Sequence, residues 1–194
     1  QEASSIVKQE ASSIVKQEAN SVVKQEANSA VKQIFDIAAS RLGKLRTGFY
    51  NTNKESGSKI DSEITYTSFS EVLNYLPSAI QIGFLSPFPK QWVEEGKMTG
   101  RIGRIISGFE TLVWYFLISG SLYAMIRRPR ALIQFAPILI VSITVIILLG
   151  YVVPNVGAIY RMRQAYMIPF FIFGVYGVQI MMHYLFARLR KNNA

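Results

Sequence analysis

Two arginines two residues apart, Arg161 and Arg163, stand in the run PNVGAIYRMRQ between long apolar stretches. A guanidinium is always protonated, and its planar fork matches phosphate oxygens. Placed at a headgroup boundary, the pair suits an anionic lipid or a polyprenyl-linked sugar phosphate. The plainer alternative is that both snorkel to lipid headgroups with no specific ligand. Local geometry separates joint from individual action: on a helix, side chains two apart diverge by roughly 200°, whereas in an extended loop they share a face. The expectation here is a loop, Pro154 to Gln164.

Glu110 is the second candidate, the one formal charge in an otherwise apolar run from Ile105 to Ile126. A carboxylate at membrane depth is costly and tends to be paired or functional, with Arg101 or Arg104 as the nearby partner. If the helix instead starts near Phe109, Glu110 sits among headgroups and favours the helix N-terminus. His183 is the chain's single histidine, with no cluster beside it to complete a metal site, so neither a metal nor a cofactor is expected. Asp61 and Glu63 in IDSEI are neighbouring carboxylates without a visible counterpart. Neither a nucleotide-binding loop nor a GxSxG elbow occurs.

The elements that must position these groups are membrane helices. Half of the 194 residues are hydrophobic, and nearly every long apolar run lies after Ser70. Three segments, Ile105 to Ile126, Ala131 to Val153 and Ala165 to Ala187, are long enough to cross a hydrocarbon core of about 30 Å. Pro137 and Pro169 are expected in the first turns of their helices, where a missing donor costs little. Gly174 and Gly177 read as a helix-packing pair. The net charge of +9 sits beside apolar segments, where lysine and arginine meet lipid or set topology. No basic helix with interleaved aromatics suggests nucleic acid. The absence of cysteine excludes disulfides and thiolate metal sites.

Ahead of the spans, residues 1–33 are an octapeptide tandem array, QEASSIVK twice, then QEANSVVK, QEANSAVK and Gln33. Eight residues overshoot two helical turns by about 80°, so the apolar face of Ala3, Ile6 and Val7 rotates with each copy. Glutamate and lysine never fall four apart, which removes the usual helix-supporting ion pairs. A marginal helix or flexible spacer is expected. Residues 34–70 are expected to form a polar extracytoplasmic linker, with a short amphipathic piece at IFDIAASRLGKL and a strand or extended arm at IDSEITYTSF. Val72 to Phe88 is apolar but interrupted by Pro77, Gly83 and Pro87, so a re-entrant or interfacial element is expected. It opens a stretch, 71–104, that closes in a basic loop.

The three-span region 105–187 would leave a basic tail, 188–194. The compact turn RRPR, with Arg127, Arg128 and Arg130, shares a side with that tail, and the positive-inside rule makes that side cytoplasmic. The expected fold is therefore an all-α membrane protein. Three transmembrane helices follow a broken apolar element and a polar, repetitive N-terminal segment. The chain opens on Gln1 with no charged stretch ahead of an apolar one, and a fragment of a longer protein is expected.

The runs GSKID, NYLPSAIQIGFLSPFPKQW, GFE and VVPNVGAIYRMRQAYMIPF resemble the C-terminal part of bacterial polytopic membrane proteins of surface-polysaccharide assembly. These are similar to the lipid-sugar-dependent glycosyltransferases grouped as family 39 and to oligosaccharide-unit polymerases. The resemblance covers roughly Leu45 to Ala187 and is most specific at Asn155, Gly157, Arg161, Arg163 and Pro169. It implies a multi-pass protein of the bacterial cytoplasmic membrane, with Arg161 and Arg163, near Asn155, contacting a polyprenyl-phosphate-linked sugar and Glu110 assisting. The family's acidic catalytic loop and its many spans have no counterpart here. What is implied is a portion that binds substrate alongside the rest of a larger chain and is inactive alone. A non-catalytic membrane anchor or subunit of an envelope complex is the other reading.

Overall fold

The computed structural model describes residues 2–54, 58–93 and 100–192, with side chains from residue 23 to residue 190. Its helices in chain order are α1 (Glu2–Thr52), α2 (Phe69–Leu85), α3 (Pro89–Val93), α4 (Gly100–Arg127), α5 (Pro129–Val152) and α6 (Val156–Asn192). Three of them, α4, α5 and α6, are long and apolar enough to cross a membrane. Arg128 alone separates α4 from α5, and Pro129 takes the first helical position of α5. There its missing N–H is no loss and its fixed φ suits the helix. The RRPR turn is thus as tight as the sequence implied.

Helices α4 and α6 run parallel and cross on glycine. A Cβ added to Gly120 would lie 2.6 Å from the carbonyl oxygen of Gly174. One added to Gly177 would collide with the Gly120 carbonyl, and one at Gly174 with that of Leu117. Lipid tails are as apolar as leucine, so helices in a bilayer gain by close van der Waals approach, which small residues permit. Gly174 and Gly177 are packing residues, as expected.

Helix α2 is continuous through Pro77 rather than broken there. At 17 residues it measures about 25 Å, short of a full span. Its N-terminus is closed by a capping box between Ser68 and Glu71, and the Asp36 carboxylate accepts the Phe69 N–H at 2.8 Å. It packs antiparallel to α5 on small residues: Gly83 abuts the Ile146 backbone and Gly150 the Ala79 backbone. The chain then reverses at Ser86 and returns through α3, where Trp92 lies over Gly108 of α4. Together α2 and α3 make a hairpin set against the long helices.

Three expectations change. Residues 34–52 belong to α1, which runs unbroken from the repeats, so the linker begins only after Thr52. Gly43 lets the arm through Tyr66 cross against the helix, since an added Cβ would sit 2.5 Å from the Tyr66 carbonyl oxygen. That arm makes one isolated bridge, Lys59 with Asn155, rather than a strand. The expected loop Pro154 to Gln164 is helical from Val156. Arg, Met and Gln are good helix formers, and Asn155 caps the new start by accepting the Ala158 N–H at 3.2 Å. Pro169 consequently lies well inside α6, and Pro137, eight residues after the start of α5 at Pro129, also lies beyond its first turns. Part of the basic loop, residues 94–99, lies outside the described residues, as do residues 193 and 194 of the tail and the repeat side chains of Ala3, Ile6 and Val7.

Candidate functional site

The helical start of α6 separates the two arginines. Arg161 is exposed, its Nε donating to the Gly157 carbonyl at 3.2 Å. Arg163, pointing the other way, is fully buried. Its Nη1 donates to the Gly83 carbonyl at 2.6 Å and its Nη2 to the Ser86 carbonyl. Its guanidinium also lies 4.9 Å from the centre of the Trp114 ring, a cation–π contact strengthened by burial. A cation here answers the partial negative charge at the C-terminal end of α2.

The neighbouring tip carbonyls are bonded in the same manner, although the buried Ser86 Oγ has no partner among the described residues. The Tyr115 hydroxyl donates to Leu85 O, and Trp92 Nε1 to Pro87 O at 2.9 Å. Gln91 bonds Phe88 twice, its N–H to the Phe88 carbonyl at 2.8 Å and its side-chain oxygen to the Phe88 N–H at 3.0 Å. Non-helical backbone away from water must be satisfied by protein groups. Arg163 lies seven residues into α6, so this tip is held about 10 Å below the start of that helix.

Beside the tip, Glu110 is half-buried and accepts a hydrogen bond from the Tyr160 hydroxyl. Of the expected partners, Arg104 donates to Gln91 O and to Ser58 Oγ, both at 3.3 Å. Tyr160 in turn stacks on Trp114, with centroids 5.1 Å apart and 11° between the planes. Glu110, Tyr160, Trp114 and Arg163 therefore form a continuous run linking α4, α6 and the hairpin. Asn155 is buried and caps α6. His183 is exposed on α6, and among the described residues no group of three acidic or histidine side chains could hold a metal ion.

A second buried arginine was not marked by the sequence. Arg46, 1% exposed, donates through Nη1 to Tyr151 O at 2.6 Å and Gly150 O at 3.4 Å. Its Nη2 reaches Asp61 O at 2.7 Å and Ile60 O at 3.4 Å. Tyr66 and Tyr75 flank it, with centroids 5.9 and 5.3 Å from its guanidinium carbon. Tyr75 also donates to the Asp61 carboxylate at 3.0 Å. Burial pushes the Tyr75 phenol up to about 12, against the lowering influence of Arg46. Burial likewise raises Tyr66. The available signal was Gly43 three residues before Arg46, one helical turn apart and so on one face.

These features define an α-helical protein whose three long apolar helices brace a hairpin that is buried at Gly83 and Ser86, with the exposed Arg161 and the carboxylate of Glu110 on the helices beside it. No family model matches the chain, and neither does any curated protein or solved structure.

Proposed function

We propose that the chain is the C-terminal membrane portion of an enzyme that transfers or polymerises sugars from polyprenyl-phosphate-linked donors in cell-surface polysaccharide assembly. In this reading α4, α5 and α6 span the bacterial cytoplasmic membrane with the C-terminus cytoplasmic, and α2 and α3 re-enter from the extracytoplasmic face. The observation that carries it is the start of α6. Within one turn it offers a phenol bonded to a carboxylate, an exposed guanidinium and a buried guanidinium fixing the hairpin tip.

The roles divide accordingly. Arg161, free to reach the headgroup region, is the phosphate contact. Arg163 spends its donors on Gly83 and Ser86 and positions the hairpin. Glu110, oriented by Tyr160, accepts a sugar hydroxyl. Such chemistry rests on placement and on charge that meets the departing phosphate, with the remaining catalytic groups supplied by the rest of a larger polytopic chain.

The test is binding. The chain in lipid nanodiscs should take up a polyprenyl phosphate saturably in the presence of excess phosphatidylglycerol. Arg161→Gln should weaken that uptake by about tenfold, the loss of one charge-assisted contact. Uptake that excess phosphatidylglycerol abolishes would overturn the reading. The exposed length of α1 favours the alternative, a membrane anchor or subunit of an envelope complex, because residues 23–38 hold no buried side chain.

A further inference from the structure

The second half of α1 has two unlike faces. Ala39, Gly43 and Arg46 are buried against the protein. On the opposite side Ile34, Ile37 and Leu45 are 66%, 57% and 60% exposed, with Arg41 and Lys44 exposed among them. The spacing 34, 37, 41, 44, 45 is that of one helical stripe. Three large aliphatic side chains and two cations thus share a surface that none of the described residues covers. The stripe holds no acidic residue, and Asp36, the one carboxylate in residues 31–48, is turned away to bond the Phe69 N–H.

The position of this stripe is tied to the spans. Arg46 bonds the last carbonyls of α5, Gly150 and Tyr151, at the end where that helix leaves the apolar region. Arg41 and Lys44 are five and two residues away, within about 8 Å along α1. From here we infer that residues 34–45 of α1 form an interfacial segment that docks on an anionic bilayer surface. Ile34, Ile37 and Leu45 enter the acyl boundary, and Arg41 and Lys44 lie at the phosphates. Interleaved apolar and basic side chains on one face of a helix are the pattern that binds such surfaces. Each cation near an anionic leaflet adds to the attraction.

The chain contains no cysteine, so single nitroxide labels can be introduced cleanly. Ile37→Cys and Leu45→Cys would report the stripe and Lys32→Cys the opposite side. In nanodiscs of phosphatidylcholine with phosphatidylglycerol, labels 37 and 45 should be accessible to oxygen and shielded from a water-soluble nickel chelate. Label 32 should show the reverse. Arg41→Gln with Lys44→Gln should lower the docked-to-free ratio by roughly tenfold or more, as should pure phosphatidylcholine. Nickel accessibility at 37 and 45 in both lipids would overturn the inference. So would dipolar broadening between labels that is indifferent to lipid charge, which would assign the stripe to a second copy of the chain.

Discussion

Arg46 and Arg163 perform the same physical task in two different settings. Each is fully buried and each directs terminal nitrogens at backbone carbonyl oxygens, at least one of them near the C-terminal end of a helix. Arg46 ties α1 and the arm around Asp61 to the end of α5. Arg163 ties the hairpin tip to α6 from within the bundle. The difference lies in what surrounds the guanidinium. Arg46 has two tyrosine rings, Tyr66 and Tyr75, against its guanidinium, whereas Arg163 faces the indole of Trp114, with Tyr115 and Tyr160 beside it. Burial of a guanidinium is tolerated where several carbonyls converge on it, and both sites meet that condition.

The sharpest break of this parallel is Arg163→Ala. Two charge-assisted bonds at roughly 1.5–3 kcal/mol each make a loss of about 3–5 kcal/mol the expected outcome, read by denaturant unfolding in detergent. A cost below about 1 kcal/mol would mean that the hairpin is held by other contacts. Arg46→Ala, which also loses two short bonds, should cost a comparable amount, roughly 3–5 kcal/mol, but act locally. Hydrogen exchange should accelerate at residues 36–52 while α4 to α6 keep their protection. Uniform loss across the spans would show that the two hubs are a single cooperative unit.

The smallest effect concerns pH. Tyr75 titrates near 12 in the folded chain against an ordinary 10.0, and Tyr66 is shifted the same way. A phenol raised in the folded state contributes stability that is complete below its ordinary value and lost as pH rises through the folded value. The Arg46 hub should therefore loosen between pH 10 and about 12, seen as tyrosinate absorbance rising together with exchange in α1. Tyr75→Phe should flatten that dependence. An unchanged alkaline profile would place the lability elsewhere.

The spans were legible because twenty apolar residues in a row leave few other options, and the single-residue turn at Arg128 because proline punctuates a helix start so strongly. The run at 154–164 was misread because its charges suggested solvent, although its residues favour a helix and Asn155 is an ordinary cap. That change moved Arg161 and Arg163 to opposite sides. The partner of Glu110 was missed for a related reason. Arg101 and Arg104 are near Glu110 in sequence, but Tyr160 is fifty residues away and adjacent only because α4 and α6 run parallel on glycines. Arg46 could not be weighed at all while residues 34–70 were read as a linker. Long-range carbonyl acceptors leave no trace in local composition.

The hairpin also constrains the order in which the chain can be built. Its tip carbonyls at Gly83 and Ser86 are bonded by a residue 80 and 77 positions downstream, and Leu85 waits for Tyr115, 30 positions on. During synthesis, then, α2 emerges long before the groups that complete it. The end of α2 gains its partners only when α4 and finally α6 have been made. Among the apolar helices α2, α4, α5 and α6, the one made first is thus among the last to have its end completed.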